Sequence, residues 1–198
     1  MRKKSHILLG RYLADQMSEV YSLQQHRKAF CLGNIMPDLR PSFLTTRHEF
    51  FGTFSQLQEK MRELIERNPE EDNARVYWRR FGEVMHYMAD YFTFPHNRTY
   101  KGSLAEHNSY EAELKNCLKE CILSGNADSQ LEEAKHFDSF EELVGYIRER
   151  HACYQESPRC IADDIRFILR VCYQVIQGIF QLCLRRQFHM EGRPVTAI

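Results

Sequence analysis

The segment NARVYWRRFGEVMHYMADYFTFPH, residues 73–96, decides the fold class. Phe81, Val84, Met85, Met88 and Phe92 recur three and four positions apart, drawing one apolar stripe along a helix of period 3.6. The pattern predicts a helix over about 73–94 that Pro95 closes, because the residue before a proline is pushed out of the α region. His86 and Asp90 lie off that stripe, beside Gly82, Ala89 and Thr93. Such a side reads as a solvated polar face, although its small residues permit close approach by another element.

Outward from this segment the same periodicity repeats. A helix is expected over about 5–22, with Ile7, Leu8, Tyr12, Leu13 and Met17 at helical spacing, and a short one over about 25–33, stopped by Gly33-Asn34. Residues 34–52, with Pro37 and Pro41, read as a long loop. Thr53-x-x-Gln56 reads as a capping box opening a helix to about 67, ended by Asn68-Pro69. Ser103-x-x-Glu106 caps a helix to about 124, and Asp138-x-x-Glu141 the next. A long apolar helix over about 158–186 completes the set. With only 9 Gly and 6 Pro, and no alternating β-branched run, the expectation is an all-α, multi-helix bundle forming a single domain over 1–198.

The chain has 198 residues, 43% of them hydrophobic and 27% charged, which suits a core-forming domain and not a disordered segment. Its 27 Lys+Arg balance 27 Asp+Glu, so the general basic footprint of a duplex nucleic acid binder is missing. No uninterrupted apolar run approaches the roughly 20 residues of a transmembrane segment. Arg2-Lys3-Lys4 imitates the start of a signal peptide, but the apolar stretch after it, Ile7–Leu9, is too short, and a cytoplasmic location is expected. The seven cysteines (31, 117, 121, 153, 160, 172, 183) contain no C-x-x-C pair and read as reduced structural thiols.

Chemistry concentrates in histidines and carboxylates. His86 and Asp90, and again His107 and Glu111, stand four apart on two helices, one turn from each other on one face and near enough to share a metal ion. His107 and Glu111 continue the apolar stripe of Leu114, Leu118, Cys121 and Ile122, so an ionised Glu111 needs a partner, which a salt bridge or a metal would supply. His96 lies just past the Pro95 break. Upstream, Gly33-Asn34-Ile35-Met36-Pro37-Asp38 puts a carboxylate in a stiff turn; His48 follows, and His6 opens the first helix. The remaining histidines (26, 136, 151, 189) build no second cluster.

In order and spacing, GNIMPD ending at Asp38, HYMADYFTFPH from His86 to His96, and HNSYE from His107 to Glu111 resemble the bacterial zinc-dependent phospholipase C family. The resemblance covers residues 6–111 and implies the helical fold shared by phospholipase C and the S1/P1-type nucleases. It implies one zinc on Asp38, His48, His86 and Asp90, and a second on His96, His107 and Glu111. A third is implied on His6, on Asp90 as bridge, and on the amino group and carbonyl of an N-terminal Trp. Here the only tryptophan is Trp78, so that third site is empty, weaker, or completed by water or by Met1. The family's choline-selecting Glu lies upstream of the His6 position and has no counterpart, so a choline preference is not expected.

Imidazole and carboxylate without thiolate suits Zn²⁺, and two ions, with a third in question, would turn a water into hydroxide near neutral pH. Asp38 is the candidate catalytic base that orients this water. The expected activity is phosphodiester hydrolysis of phospholipase C type on a phosphodiester substrate such as a phospholipid. Two alternatives are a nuclease-like phosphodiesterase acting on single strands and a non-catalytic metal-binding helical protein with closed sites. Phe43, Phe50, Phe51, Tyr87, Tyr91 and Phe94 either line an apolar approach or belong to the core.

Overall fold

The computed structural model describes residues 1–40, 48–67, 73–158 and 160–190, excluding the side chains of 189 and 190. Phe43 and the breaks expected at Pro41 and at Asn68-Pro69 lie outside these. Every regular element described is helical: α1 (Lys3–Gln16), α2 (Tyr21–Gln25), α3 (Arg27–Gly33), α4 (Phe50–Glu66), α5 (Ala74–Tyr91), α6 (Leu104–Leu123), α7 (Phe140–Glu156) and α8 (Ile161–Met190). Short 3-10 turns at Pro37–Leu39 and Phe94–His96 carry Asp38 and His96. The fold is all-α, as the sequence pattern requires.

Several boundaries differ from expectation. The first predicted helix ends at Gln16 and a separate turn of helix forms at Tyr21–Gln25. Helix α4 begins at Phe50 with Glu49 as its uncapped N-cap, so Thr53 is not a cap. Its hydroxyl bonds the Glu49 carbonyl at 3.0 Å and the Tyr91 hydroxyl at 2.8 Å, tying α4 to α5. The cap of α7 is Ser139, which accepts from the Glu142 N–H, one residue beyond the Asp138 box. The Ser103–Glu106 box is present as expected, and Asn73 caps α5 by accepting from Val76.

Helix α5 is the axis of the bundle. It packs against α1, α3, α4 and α8 and is buried on nearly every side, including the side that holds His86 and Asp90. The expected solvated face is therefore wrong. The reason is glycine: a Cβ on Gly82 would come within 2.1 Å of the Phe30 carbonyl oxygen, and one on Gly33 within 1.9 Å of the Arg79 oxygen. Two bare backbones touch there, and α3 covers the polar side of α5. Trp78 fills the next layer, stacked on Phe81 and edge-on to Phe30, with its indole N–H donating to Ser22 Oγ at 3.0 Å.

Helix α8 closes the core against α1, α4, α5, α6 and α7. By length and composition the stretch Ile161–Phe188 would suffice to cross a membrane. Arg170, Gln174, Gln177 and Gln181 interrupt the apolar run. Its Ile168, Leu169, Val171, Val175, Ile176 and Ile179 are all fully buried in the bundle, and a core helix of this kind passes the same test. His151, on α7, is also buried, stacked on Phe50 with ring centroids 3.8 Å apart. Phe50 and Tyr91 thus belong to the core, whereas Phe51 is 66% exposed.

Gly82→Ala should cost on the order of 1–3 kcal/mol through overpacking at the α3–α5 contact. Gly145→Ala should instead stabilise by about 0.5–1 kcal/mol, because its Cβ meets nothing within 4 Å and alanine favours the helix. Chemical denaturation midpoints of the two variants check both signs. Burial pushes His151 down to about 4 from its ordinary 6.5. Between those values the unfolded chain takes up a proton that the folded chain refuses, so stability falls as pH drops through the window. His151→Phe should flatten that part of the stability–pH curve.

Candidate metal centre

All eight residues singled out from the sequence converge on one end of α5. Asp90, fully buried, stands at the middle. Its Oδ2 lies 3.2 Å from His48 Nδ1, 3.3 Å from His86 Nε2 and 3.4 Å from His96 Nδ1. Its Oδ1 lies 3.2 Å from His6 Nε2 and 2.5 Å from the Met1 amino group. Asp38 Oδ1 completes one side at 3.6 Å from His86 Nε2 and 3.8 Å from His48 Nδ1. On the other side, Glu111 Oε1 is 3.1 Å from His96 Nε2 and 3.3 Å from His107 Nε2.

These contacts sort into two groups able to hold a cation: Asp38, His48, His86 and Asp90, and then His96, His107 and Glu111. Within each, one donor atom per residue lies within 4.8 Å of every other. Hydrogen bonding alone does not explain the arrangement. The closest approach between His86 Nε2 and His48 Nδ1 is 3.0 Å, bringing two ring nitrogens together among acceptor oxygens. His6 is fully buried, yet neither of its ring nitrogens makes a well-directed hydrogen bond, although Nε2 faces Asp90. Imidazole nitrogens, those of His6 without a hydrogen bond, and carboxylate oxygens aimed at common points are the donor set a divalent cation satisfies.

Each ligand atom is fixed from behind. His86 Nδ1–H donates to the Asn34 carbonyl at 2.8 Å, leaving Nε2 as the free lone pair on the inner side. Asn34 reaches that place because α3 and α5 meet at their glycines, and its own amide donates back to the Phe30 carbonyl at 3.0 Å. Thr93 and Asn97 hold the turn after α5: Thr93 donates to the Ala89 carbonyl, and Asn97 to the Thr93 carbonyl at 2.9 Å.

Electrostatics prepare the same donors. Burial would raise the Asp90 carboxyl, but His96, the Met1 amino group, His86 and His6 around it hold it well below the ordinary value. Burial, with His86 beside it, pushes His6 down to about 3, so its ring is neutral as a ligand must be. His96 is likewise lowered by burial. Burial also opposes ionisation of Glu111, but its hydrogen bond with His96 and the Met1 amino group keep it low. Asp38 goes the other way: burial raises it above its ordinary value.

Sequence reading missed Asp164, at the start of α8. Buried, its Oδ2 accepts from the Phe94 N–H and the Tyr110 hydroxyl, both at 2.9 Å, and its Oδ1 from the Tyr154 hydroxyl at 2.6 Å. Phe94 begins the turn bearing His96, and Tyr110 precedes Glu111, so this one carboxylate holds two elements of the second group in register. The acid itself was visible, but its donors lie 10 to 70 residues away along the chain.

Two clefts open on either side of His96 and His107. One, of about 400 Å³, is lined by Glu49, Pro95, Arg98, Tyr100 and Ser103. The other, of about 670 Å³, runs past Asp38 and Glu111 to Arg2, Lys3, Lys4 and Lys115. The groups are thus reached from solvent, unlike a closed structural site.

An all-helical bundle with a histidine–carboxylate centre reached by two clefts defines a class, the helical metal-centre proteins. Residues 5–161 match the family model for zinc dependent phospholipase C, and the chain belongs to that family. No curated protein and no solved structure gives a match. The matched region ends before Asp164, so α8 adds a support for the site from beyond it.

Asp164→Ala should destabilise the protein by about 2–3 kcal/mol, since the buried Tyr154 hydroxyl and two half-buried donors, the Phe94 N–H and the Tyr110 hydroxyl, lose their acceptor. A fall in thermal midpoint of several degrees, together with loosened backbone protection at residues 94–97 in hydrogen exchange, is the expected result.

Proposed function

We propose that this protein is a zinc-dependent phosphodiester hydrolase of phospholipase C type. The observation that carries this reading is the pair of donor groups sharing the buried Asp90, in a chain of the zinc-dependent phospholipase C family. Asp38, His48, His86 and Asp90 would hold one zinc, and His96, His107 and Glu111 a second. His6, Asp90 and the Met1 amino group supply donors for a third, with Met1 where the family has an N-terminal tryptophan. When bound, zinc supplies Lewis acidity: it brings the pKa of water down to about 7 and offsets charge on phosphoryl oxygens.

The chain's own residues do the rest. His86 presents one fixed lone pair because Asn34 holds its other nitrogen. Asp90, kept ionised, balances positive charge at the centre. Asp38 sits on a proline-led turn at the mouth of the basic cleft, and its carboxylate is suited to orient the attacking water and take its proton. The diester has two substituents, and the two clefts give each an exit.

Protein purified without chelator should contain at least two zinc ions per chain by elemental analysis and should hydrolyse a generic phosphodiester. Asp90→Asn and His86→Ala should each lower bound metal and reduce kcat/KM about 100-fold or more. One zinc or fewer would overturn the multinuclear reading. Two or more zinc ions with no turnover of phosphatidylcholine, generic diester or single-stranded DNA would favour the non-catalytic protein, and turnover of DNA alone the nuclease-like one.

A further inference from the structure

The two clefts differ in charge, and the difference speaks to the substrate. Beyond its candidate metal ligands, the larger cleft is lined by Arg2, Lys3, Lys4 and Lys115, with Asn108, Leu104 and the Met1 side of α1. No acidic side chain other than Asp38 and Glu111 lines it, and both of these are assigned above to the metal groups. Arg2 donates to the backbone carbonyl of Asn108 at 2.7 Å, so its charge is anchored at the cleft wall but not neutralised by a carboxylate. Lys3, Lys4 and Lys115 make no ion pair among the described residues.

Four uncompensated cations on one wall are a cost in self-repulsion unless an anion relieves it. The smaller cleft is different. Its one carboxylate outside the metal groups, Glu49, is paired with Arg98 at 3.2 Å, and Arg98 in turn lies over the exposed Phe51 ring at 5.3 Å. A quaternary ammonium needs an aromatic cage or a free carboxylate. The larger cleft has no aromatic residue in its lining and offers cations instead.

We infer that the substrate is a phosphodiester whose headgroup, the substituent that keeps the scissile phosphate when water displaces the other alcohol, carries a second phosphate, held in the larger cleft by Arg2, Lys3, Lys4 and Lys115 while the scissile phosphate sits at the metal groups. The inference rests on the phosphodiesterase reading for the reacting phosphate. The smaller cleft, with Pro95, Tyr100 and Leu104 in its lining, then receives the other substituent. Leu104 borders both clefts and is 76% exposed, a place for an apolar stem next to the scissile bond.

The test uses the zinc-loaded full chain. Turnover is compared on dihexanoyl phosphatidylinositol and its headgroup-phosphorylated form, both kept monomeric so that no lipid surface contributes. The phosphorylated form should be preferred about tenfold in kcat/KM, and added salt should shrink the ratio. In the K4Q/K115Q variant, with zinc content equal to wild type as the check on an intact centre, the ratio should fall towards one. In parallel, calorimetry should show inositol bisphosphate binding about tenfold tighter than inositol monophosphate, with the difference lost in the variant.

Equal or reversed preference in both measurements overturns the inference. If neither lipid is hydrolysed, turnover of the generic diester decides whether the phosphodiesterase reading fails, and the bisphosphate binding difference still decides whether the cleft selects a second phosphate. If the variant loses affinity only for vesicles containing anionic lipid, and binds inositol bisphosphate as the wild type does, the lysines dock a membrane surface and the inference is wrong.

Discussion

The burial of one carboxylate, Asp90, is the constraint on which the rest of the molecule depends. An ionised carboxylate away from water costs several kcal/mol unless charge and hydrogen bonds surround it. Here four histidines and the Met1 amino group converge on its two oxygens, and they come from α1, the segment before α4, α5 and the turn after α5. Satisfying Asp90 therefore fixes how those segments meet. A metal-dependent centre and a folded bundle are two descriptions of the same compensation.

The backbone makes this burial feasible. At Gly82 and Gly33 two helices approach to a distance that a single methyl group would forbid, and the approach delivers the Asn34 carbonyl to His86 Nδ1. Asp164 plays the matching part for the second group, from a helix outside the matched family region. Neither Asn34 nor Asp164 is placed among the donors facing the centre; both act by setting the orientation of residues that are. Geometry held from behind limits the reorganisation that a bound cation or a reacting phosphate would otherwise demand.

Charge is arranged locally within a chain whose net charge is zero. Three of its acids are drawn into one centre, and four cations gather at the mouth of one cleft. The neutral total excludes a general attraction to polyanions, yet it coexists with a site where positive charge is focused. A cleft with low-dielectric walls strengthens that focus beyond what the sequence count suggests.

Much of the fold and the centre was legible in the sequence. The 3.6-residue apolar stripe of α5 and the Ser103 box are local, and local rules placed them, whereas α5 ends at Tyr91, short of the stop expected at Pro95, which lies in the following 3-10 turn. The eight candidate residues were found because histidine and carboxylate at spacing of four, together with GNIMPD and HYMADYFTFPH, form a pattern with few structural uses. What the sequence misjudged was the environment. His86 and Asp90 read as a solvated face because helical periodicity reports only which side is apolar, and not that glycines let a neighbouring helix cover the polar side. Likewise the role of Asp164, the pairing of Glu49 with Arg98 and the gathering of Arg2, Lys3, Lys4 and Lys115 with Glu111 join residues far apart along the chain. The sequence by itself determined which residues can form helices and which can bind a cation, since both follow from side-chain chemistry and short-range spacing. Only the tertiary structure decided which of them are buried, which lone pair each histidine offers and which cleft is basic, because those depend on how close helices distant in sequence can come.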